Sequence, residues 1–353
     1  MARSLTVLLV ALVCLPTAAV AETPQPDLSG TYDTGTLTPL QRPKWLGETQ
    51  SIYPWVAKTL SWIAEKGLTW INENESDPNR EAPPVGGDGS GNAFGAGNVG
   101  GYNTFWIDPG TRAFEINGMY RTSIIIDPPD GRMPPRTARG RAKMDDNFSS
   151  FTHENTGTAW WVDREGPGPY DNPEDLALAE RCLLSFAGGP PILPSLYNNY
   201  TRIVQSGDYV MILLEMVHDA RIVRLGDTHR PQTYRSWLGD SIGWWEGDTL
   251  VVDTTSFRED TGLYGADSNL HLVERFSLLD NGDLLYHFTV DDPTAWEAPW
   301  TGEYSWRRSD ERVYEYACHE GNYAMGGILR GARLLEKEAL EAPGKATSES
   351  SGG

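Results

Sequence analysis

Histidine and cysteine are scarce in this chain of 353 residues, with six of the first and three of the second. None of them stands in an HExxH, His-x-His or CxxC spacing, so no local metal motif is present. Positive charge is short as well: 29 Lys and Arg face 49 Asp and Glu, and the formal net charge is −20. So acidic a surface repels phosphate backbones, and no basic stripe interrupts it, which excludes nucleic acid as a partner. Small molecules that are neutral, apolar or cationic stay open. After residue 21 no stretch approaches the roughly 20 apolar residues that a membrane span needs.

The first 21 residues carry a different signal. Arg3 supplies a positive start, Leu5 to Leu15 is an apolar run, and Ala19-Val20-Ala21 is a small-x-small cleavage site. This pattern reads as a signal peptide over 1–21, which makes the protein secreted or periplasmic. Cys14 leaves with the leader, and Cys182 and Cys318 remain in a compartment that favours disulfides. A bridge between them closes a loop of about 135 residues and contributes roughly 4 kcal/mol in the chain-entropy model. Two separate buried thiols are the alternative, because spacing says nothing of Cα proximity.

Residues 22–110 read as an extended and helical segment, too poor in apolar residues to fold alone, that packs on a main domain at 111–341. Asp27 to Gln41 is an extended entry. Val56, Leu60 and Ile63 predict an amphipathic helix over 52–66. The glycine-rich run at 85–101 is a loop, since no strand-Gly-helix context makes it a phosphate cradle. From residue 112 the pattern predicts strands at 112–116, 121–126, 158–163, 201–206, 208–217, 219–225, 248–255, 270–278, 284–290, 301–307 and 312–318. Ser206-Gly207-Asp208, Glu246-Gly247-Asp248 and Asp280-Asn281-Gly282-Asp283 are hairpin turns. Helices are expected only at 174–186 and 328–341, and the tail at 342–353 reads as disordered. The expected fold is all-β: an antiparallel meander forming a lipocalin- or calycin-like barrel or two packed sheets, with a few peripheral helices. No repeat of fixed period supports a propeller.

Alternation also nominates a site. Read as one period, 210–222 puts Val210, Ile212, Leu214, Met216, His218 and Ile222 on one face, and Glu215, Asp219 and Arg221 on the other. His218 then points inward among hydrocarbon, where an imidazole suits acid–base work; a structural core histidine is the alternative. Glu274 shares the apolar face of Leu270, Leu272 and Phe276. It is either a proton donor with a pKa raised by burial or half of an internal salt bridge. Cys318-His319-Glu320-Gly321-Asn322-Tyr323 follows a predicted strand, and His319 there is a base, a ligand or a rim residue. His218, Glu274 and His319 are the candidate catalytic groups. Asp219, Arg221, Trp245, His271, Glu320, Asn322 and Tyr323 are candidate substrate contacts. The 13 Trp, with pairs at 160–161 and 244–245, suit a core or a pocket for rings.

Four segments resemble a large family of secreted bacterial proteins. They contain HDARIVRL, WWEGDTLVVDTTSF, NLHLVERF and YACHEGNYAM, within roughly residues 110–335. The resemblance implies that His218, Asp219, Arg221, Trp245, Glu246, Asp248, His319, Glu320 and Asn322 lie in the family's signature segments. It supplies no reaction. The leading expectation is cofactor-independent acid–base chemistry (isomerase, lyase, dehydratase or cyclase type) on a small hydrophobic or aromatic molecule in a barrel cavity. A non-catalytic carrier of the same molecule is one rival. A metal-dependent hydrolase using His218, His271, His319 and either Asp219 or Glu320 is another, although the expected site holds no metal.

Overall fold

A computed structural model describes residues 25–59, 108–147, 157–166, 168–184, 189–259, 261, 263 and 265–341. The leader at 1–21, the glycine-rich run at 85–101 and the tail from Ala342 lie outside these residues. The chain begins with β1 (Gly30–Asp33), β2 (Ser51–Ile52), β3 (Glu115–Ile116), β4 (Met119–Arg121) and β5 (Ile125–Asp127). Helix α1 (Ala138–Asn147) follows. Then come β6 (Tyr200–Ser206), β7 (Tyr209–Leu214), β8 (Ala220–Leu225) and β9 (Asp240–Glu246). The last strands are β10 (Thr249–Thr255), β11 (His271–Leu278), β12 (Leu284–Asp291) and β13 (Trp300–Ser309). Helices α2 (Cys318–Gly321) and α3 (Tyr323–Glu341) end the described chain.

β1 and β6 to β13 form a closed nine-strand barrel, because β1 pairs with both β6 and β13. β5 adds to β13 beyond the point of closure, and β2, β4 and β3 make a small second sheet. The β-dominated class is therefore as expected, in its barrel form. One join departs from the meander. β8 and β9 run parallel and pair only at Val223, Arg224 and Leu225 with Ser241, Ile242 and Gly243. Residues 226–239 form the crossover that a parallel join requires.

Alternation fills the barrel. Buried and half-exposed residues alternate along β11, β12 and most of β13. Phe276, Tyr286 and Tyr304 stand opposite one another on these strands, with ring centroids 5.1 and 5.7 Å apart. The Trp306 ring lies 4.7 Å from that of Tyr286. Gly302 sits mid-strand because the Phe288 ring lies over it; a Cβ there would collide with Phe288 Cζ. Aromatic rings thus occupy the interior from β11 to β13.

Several predicted elements are replaced. Residues 158–163 form turns, not a strand, because Trp161 is buried against α3, where its indole N–H donates to Glu336 Oε1 at 2.7 Å. Residues 312–317 take no regular structure despite their β-like composition. The barrel is already closed by β1 and offers them no edge, and Tyr314 stays exposed. Of the helix expected at 174–186, the described residues to 184 hold a short turn of 3₁₀ helix at Pro173–Asp175 and further turns, and 185–186 lie outside the described residues. The entry segment holds β1, and β9 is a strand that the sequence reading did not place. The helix expected at 52–66 is helical at 54–59, and the rest lies outside the described residues.

Cys182 and Cys318 are bridged, with Cα atoms 5.7 Å apart. The bond ties the loop before β6 to the start of α2. Replacing both cysteines by serine is expected to lower stability by about 2–5 kcal/mol in urea unfolding. Barrel far-UV dichroism is expected to persist; an unchanged urea midpoint would show that the bridge does not constrain the chain.

Candidate functional site

The reading of 210–222 as one strand fails at its middle. β7 ends at Leu214, and Glu215 to Asp219 make a tight turn in which Leu214 N–H donates to the Asp219 carbonyl at 2.8 Å. Val217 and His218 both occupy the left-handed region, at φ 60° and 58°. That conformation is costly for a β-branched residue and marks stored strain. Buried Glu215 anchors the turn by accepting the Tyr314 N–H at 3.0 Å. The turn reverses parity. Val210, Ile212 and Leu214 face inward before it; Arg221 and Val223 do so after it. His218 is consequently exposed to solvent, not buried among hydrocarbon.

Arg221 takes the interior place and meets Glu274. The guanidinium engages both carboxylate oxygens, one contact being 2.8 Å from Nη2 to Oε1, and Glu274 is 0 % exposed. Tyr286 donates its O–H to Glu274 at 2.7 Å and accepts the Ile192 N–H at 3.0 Å. Tyr304 donates to the Ile192 carbonyl at 2.9 Å. Burial and the neighbouring Glu274 charge push the Tyr286 phenol well above its ordinary range. Glu274 is therefore the salt-bridge member of its two expected roles.

The parallel seam opens a recess in the barrel wall. β8 pairs with β9 only from Val223 onward, so residues 219–222 stand apart from residues 234–241. The gap between them has a volume of about 480 Å³. Leu184, Ile222, Tyr209, Tyr234 and Trp237 give it apolar and aromatic surface. Arg258 lies 4.2 Å above the Trp237 ring, and Arg230 lies 4.6 Å above Tyr234. Asp219 also lines the recess. Its Oδ2 is buried with no hydrogen-bond partner, and burial pushes its carboxyl up to about 7.

Asp240 forms another side of the recess and is fully engaged. Both oxygens take Arg224, and Oδ2 also accepts the Arg230 N–H at 2.9 Å. Burial alone would raise its carboxyl, but these bonds and His229 hold it well below the usual range. His229 Nδ1 lies 3.0 Å from Asp240 Oδ2, and Nε2 lies 2.8 Å from Asp253 Oδ1. Asp253 Oδ2 lies 2.9 Å from His271 Nε2, and that bond raises the His271 pKa. The chain Asp240–His229–Asp253–His271 thus pins the crossover to the outward faces of β10 and β11.

Of the residues expected at one site, only Asp219 and Arg221 line the recess. His271 is on the outer face, and Trp245 packs partly buried against the core. His319 and Glu320 are exposed on α2, and Tyr323 is 87 % exposed. Asn322 caps α3: its side chain accepts the Met325 N–H and donates to the Glu180 carbonyl at 2.7 Å. The three expected histidines are not gathered, and among the described residues no group of three or more His, Cys, Asp or Glu is placed to hold a metal.

The sequence reading missed His229, Tyr234 and Asp240, which lie in or beside a crossover without periodicity. Asp253 left one signal, as a lone acid in an apolar strand. Gly239-Asp240-Ser241-Ile242-Gly243 has the GxSxG spacing, but Ser241 lies in β9 with its Oγ 2.9 Å from Thr254 Oγ1. It stands on no strand-to-helix elbow.

No family model and no curated protein matches this chain. The geometry alone bears on the site.

Two outcomes test it. Arg221→Met strands the Glu274 carboxylate and is expected to destabilise by about 3–5 kcal/mol in urea melts; adding Glu274→Leu restores most of the loss. A single variant within about 1 kcal/mol of the parent contradicts a buried charge pair. Asp219 has a raised folded pKa, about 7 against 3.8. Between those values the folded protein keeps a proton that the unfolded chain has released, so stability falls as pH rises through that window. Asp219→Asn is expected to have the higher Tm at pH 8 and a smaller advantage at pH 5. Equal advantages at both would place the titration elsewhere.

Proposed function

We propose that the seam recess binds a small hydrophobic or aromatic molecule and that Asp219 moves a proton to or from it, without a cofactor. The observation that carries this reading is Asp219 in the lining of a recess with apolar and aromatic surface, its Oδ2 buried without a hydrogen-bond partner. A carboxyl poised near 7 exists in both protonation states at neutral pH, which suits a general acid or base. Isomerisation, elimination and cyclisation each need only such a positioned group. The volume of about 480 Å³ suits a small organic ligand. Arg221 and Arg224 are committed to Glu274 and Asp240, so they shape the recess instead of titrating within it. His218 and His319 are exposed and absent from the lining of the recess, so this reading gives them no part in the chemistry.

The same proposal includes membership of a secreted bacterial family and export after cleavage near Ala21. The disulfide suits an oxidising compartment, and among the described residues no helix is long and apolar enough to cross a membrane. Transport of the ligand without conversion is the second reading, favoured by the barrel architecture alone.

Screening aromatic and hydroxylated ring compounds by tryptophan quenching finds the ligand class, and Trp237→Phe is expected to remove much of the signal. With a converted compound in hand, Asp219→Asn is expected to lower kcat by about 10²–10⁴ and abolish the inflection near pH 7. Full turnover in Asp219→Asn ends the acid–base reading. Binding without conversion of any compound leaves the carrier.

A further inference from the structure

An imidazole bridges two carboxylates beside the recess. His229 belongs to the crossover at 226–239, while Asp240 stands on β9 and Asp253 on β10. His229 Nδ1 lies 3.0 Å from Asp240 Oδ2, and Nε2 lies 2.8 Å from Asp253 Oδ1. A neutral imidazole carries one N–H and one lone pair, so only the imidazolium donates to both oxygens. Burial alone would raise both carboxyls, but Arg224 and the Arg230 N–H hold Asp240 down, and His271 and His229 hold Asp253 down. Neither carboxyl therefore supplies a missing proton. When the ring loses its charge, one nitrogen turns a lone pair toward a carboxylate, and the crossover loses one of its two ties.

The other charged groups around the bridge are already engaged. Arg224 of β8 binds Asp240 and Asp227. Arg230 Nε lies 3.9 Å from Asp240 Oδ1. His271 of β11 lies 2.9 Å from the second oxygen of Asp253 and stands opposite Asp291 of β12, whose charge also raises its pKa. Bonds that do not titrate hold the two ends of the crossover. Arg224 Nη2 donates to the Thr228 carbonyl at 2.9 Å, and the Ser236 N–H donates to the Ser256 carbonyl at 3.2 Å. Between these ends His229 ties the chain to β10. The next residue, Arg230, lies over the ring of Tyr234, and both line the recess.

We infer that His229 is a positioning residue that latches the recess wall by its charge: as the imidazolium it clamps the crossover to β9 and β10, and its deprotonation loosens the wall that carries Arg230 and Tyr234. The clamp is present at low pH and is lost as pH rises. His271 acts in the same direction, because its bond to Asp253 raises its pKa. The latch regulates the recess of the proposed function and rests on that reading for its purpose, but it belongs to the free protein and is measured without a ligand.

Amide hydrogen exchange of the full chain at pH 5 and pH 8, corrected for the intrinsic rate at each pH, tests the latch. The Arg230 N–H donates to Asp240 and the Tyr234 N–H to the Pro231 carbonyl. Both are expected to lose protection by about tenfold or more at pH 8, as one charge-assisted hydrogen bond is lost. The Gly226 N–H, bonded to the Gly243 carbonyl, is expected to keep its protection. His229→Gln is expected to show the low protection at both pH values, while His271→Gln and Asp219→Asn keep most of the fall. Equal protection at both pH values in the parent overturns the latch. So does a fall that persists in His229→Gln, or one that disappears in His271→Gln or Asp219→Asn. Full turnover in Asp219→Asn with the fall intact ends the acid–base reading and leaves the latch in place.

Discussion

A guanidinium and a carboxylate facing each other inside an aromatic barrel set the terms for the rest of this molecule. Removing Arg221 and Glu274 from water costs several kcal/mol for each ion. Only tight two-point contact and further hydrogen bonds offset such a penalty. Thr254, Tyr286 and the backbone at Ile192 supply those bonds, and Tyr304 closes the network from β13. The pair therefore couples β8 to β11 and β12 across the interior. It also fixes the phase of β8, because a one-residue slip would turn Arg221 to solvent and leave Glu274 alone in the core.

That phase depends on the turn before it. Glu215 to Asp219 reverses which residues face inward, and it does so with Val217 and His218 in a conformation that glycine would adopt more easily. The strain persists because both ends are held: Glu215 by Tyr314, and Arg221 by Glu274. The seam recess lies beside this turn, with Asp219 in its lining and His218 outside it. Strained, over-determined backbone of this kind gathers where a protein binds or reacts.

The parallel join of β8 to β9 makes the recess. An all-antiparallel meander would pair β8 along its length and seal the wall. The crossover instead leaves the first half of β8 unpaired on that side and brings Tyr234 and Trp237 over the gap. His229 and its two carboxylate partners hold the crossover in place, and of these three only Asp240 lines the ligand space.

Much of this architecture was legible in the residues themselves. Alternation in 270–278, 284–290 and 301–307, with Gly-containing turns between hairpin strands, is enough to place β11, β12 and β13, since side-chain direction along a strand is a local property. The disulfide was legible as one of two options. Burial of Glu274 was visible in its apolar neighbours, but its partner was not, because Arg221 comes from a strand 53 positions earlier. His218 was misassigned for the opposite reason: an unbroken period was read through residues that the chain uses to turn. Local sequence decides which segments are strands and which side chains share a face within one strand. Closure, the parallel join and the partner of each buried charge are decided by contacts between remote segments, and those contacts put Asp219 in a recess and left His218 in water.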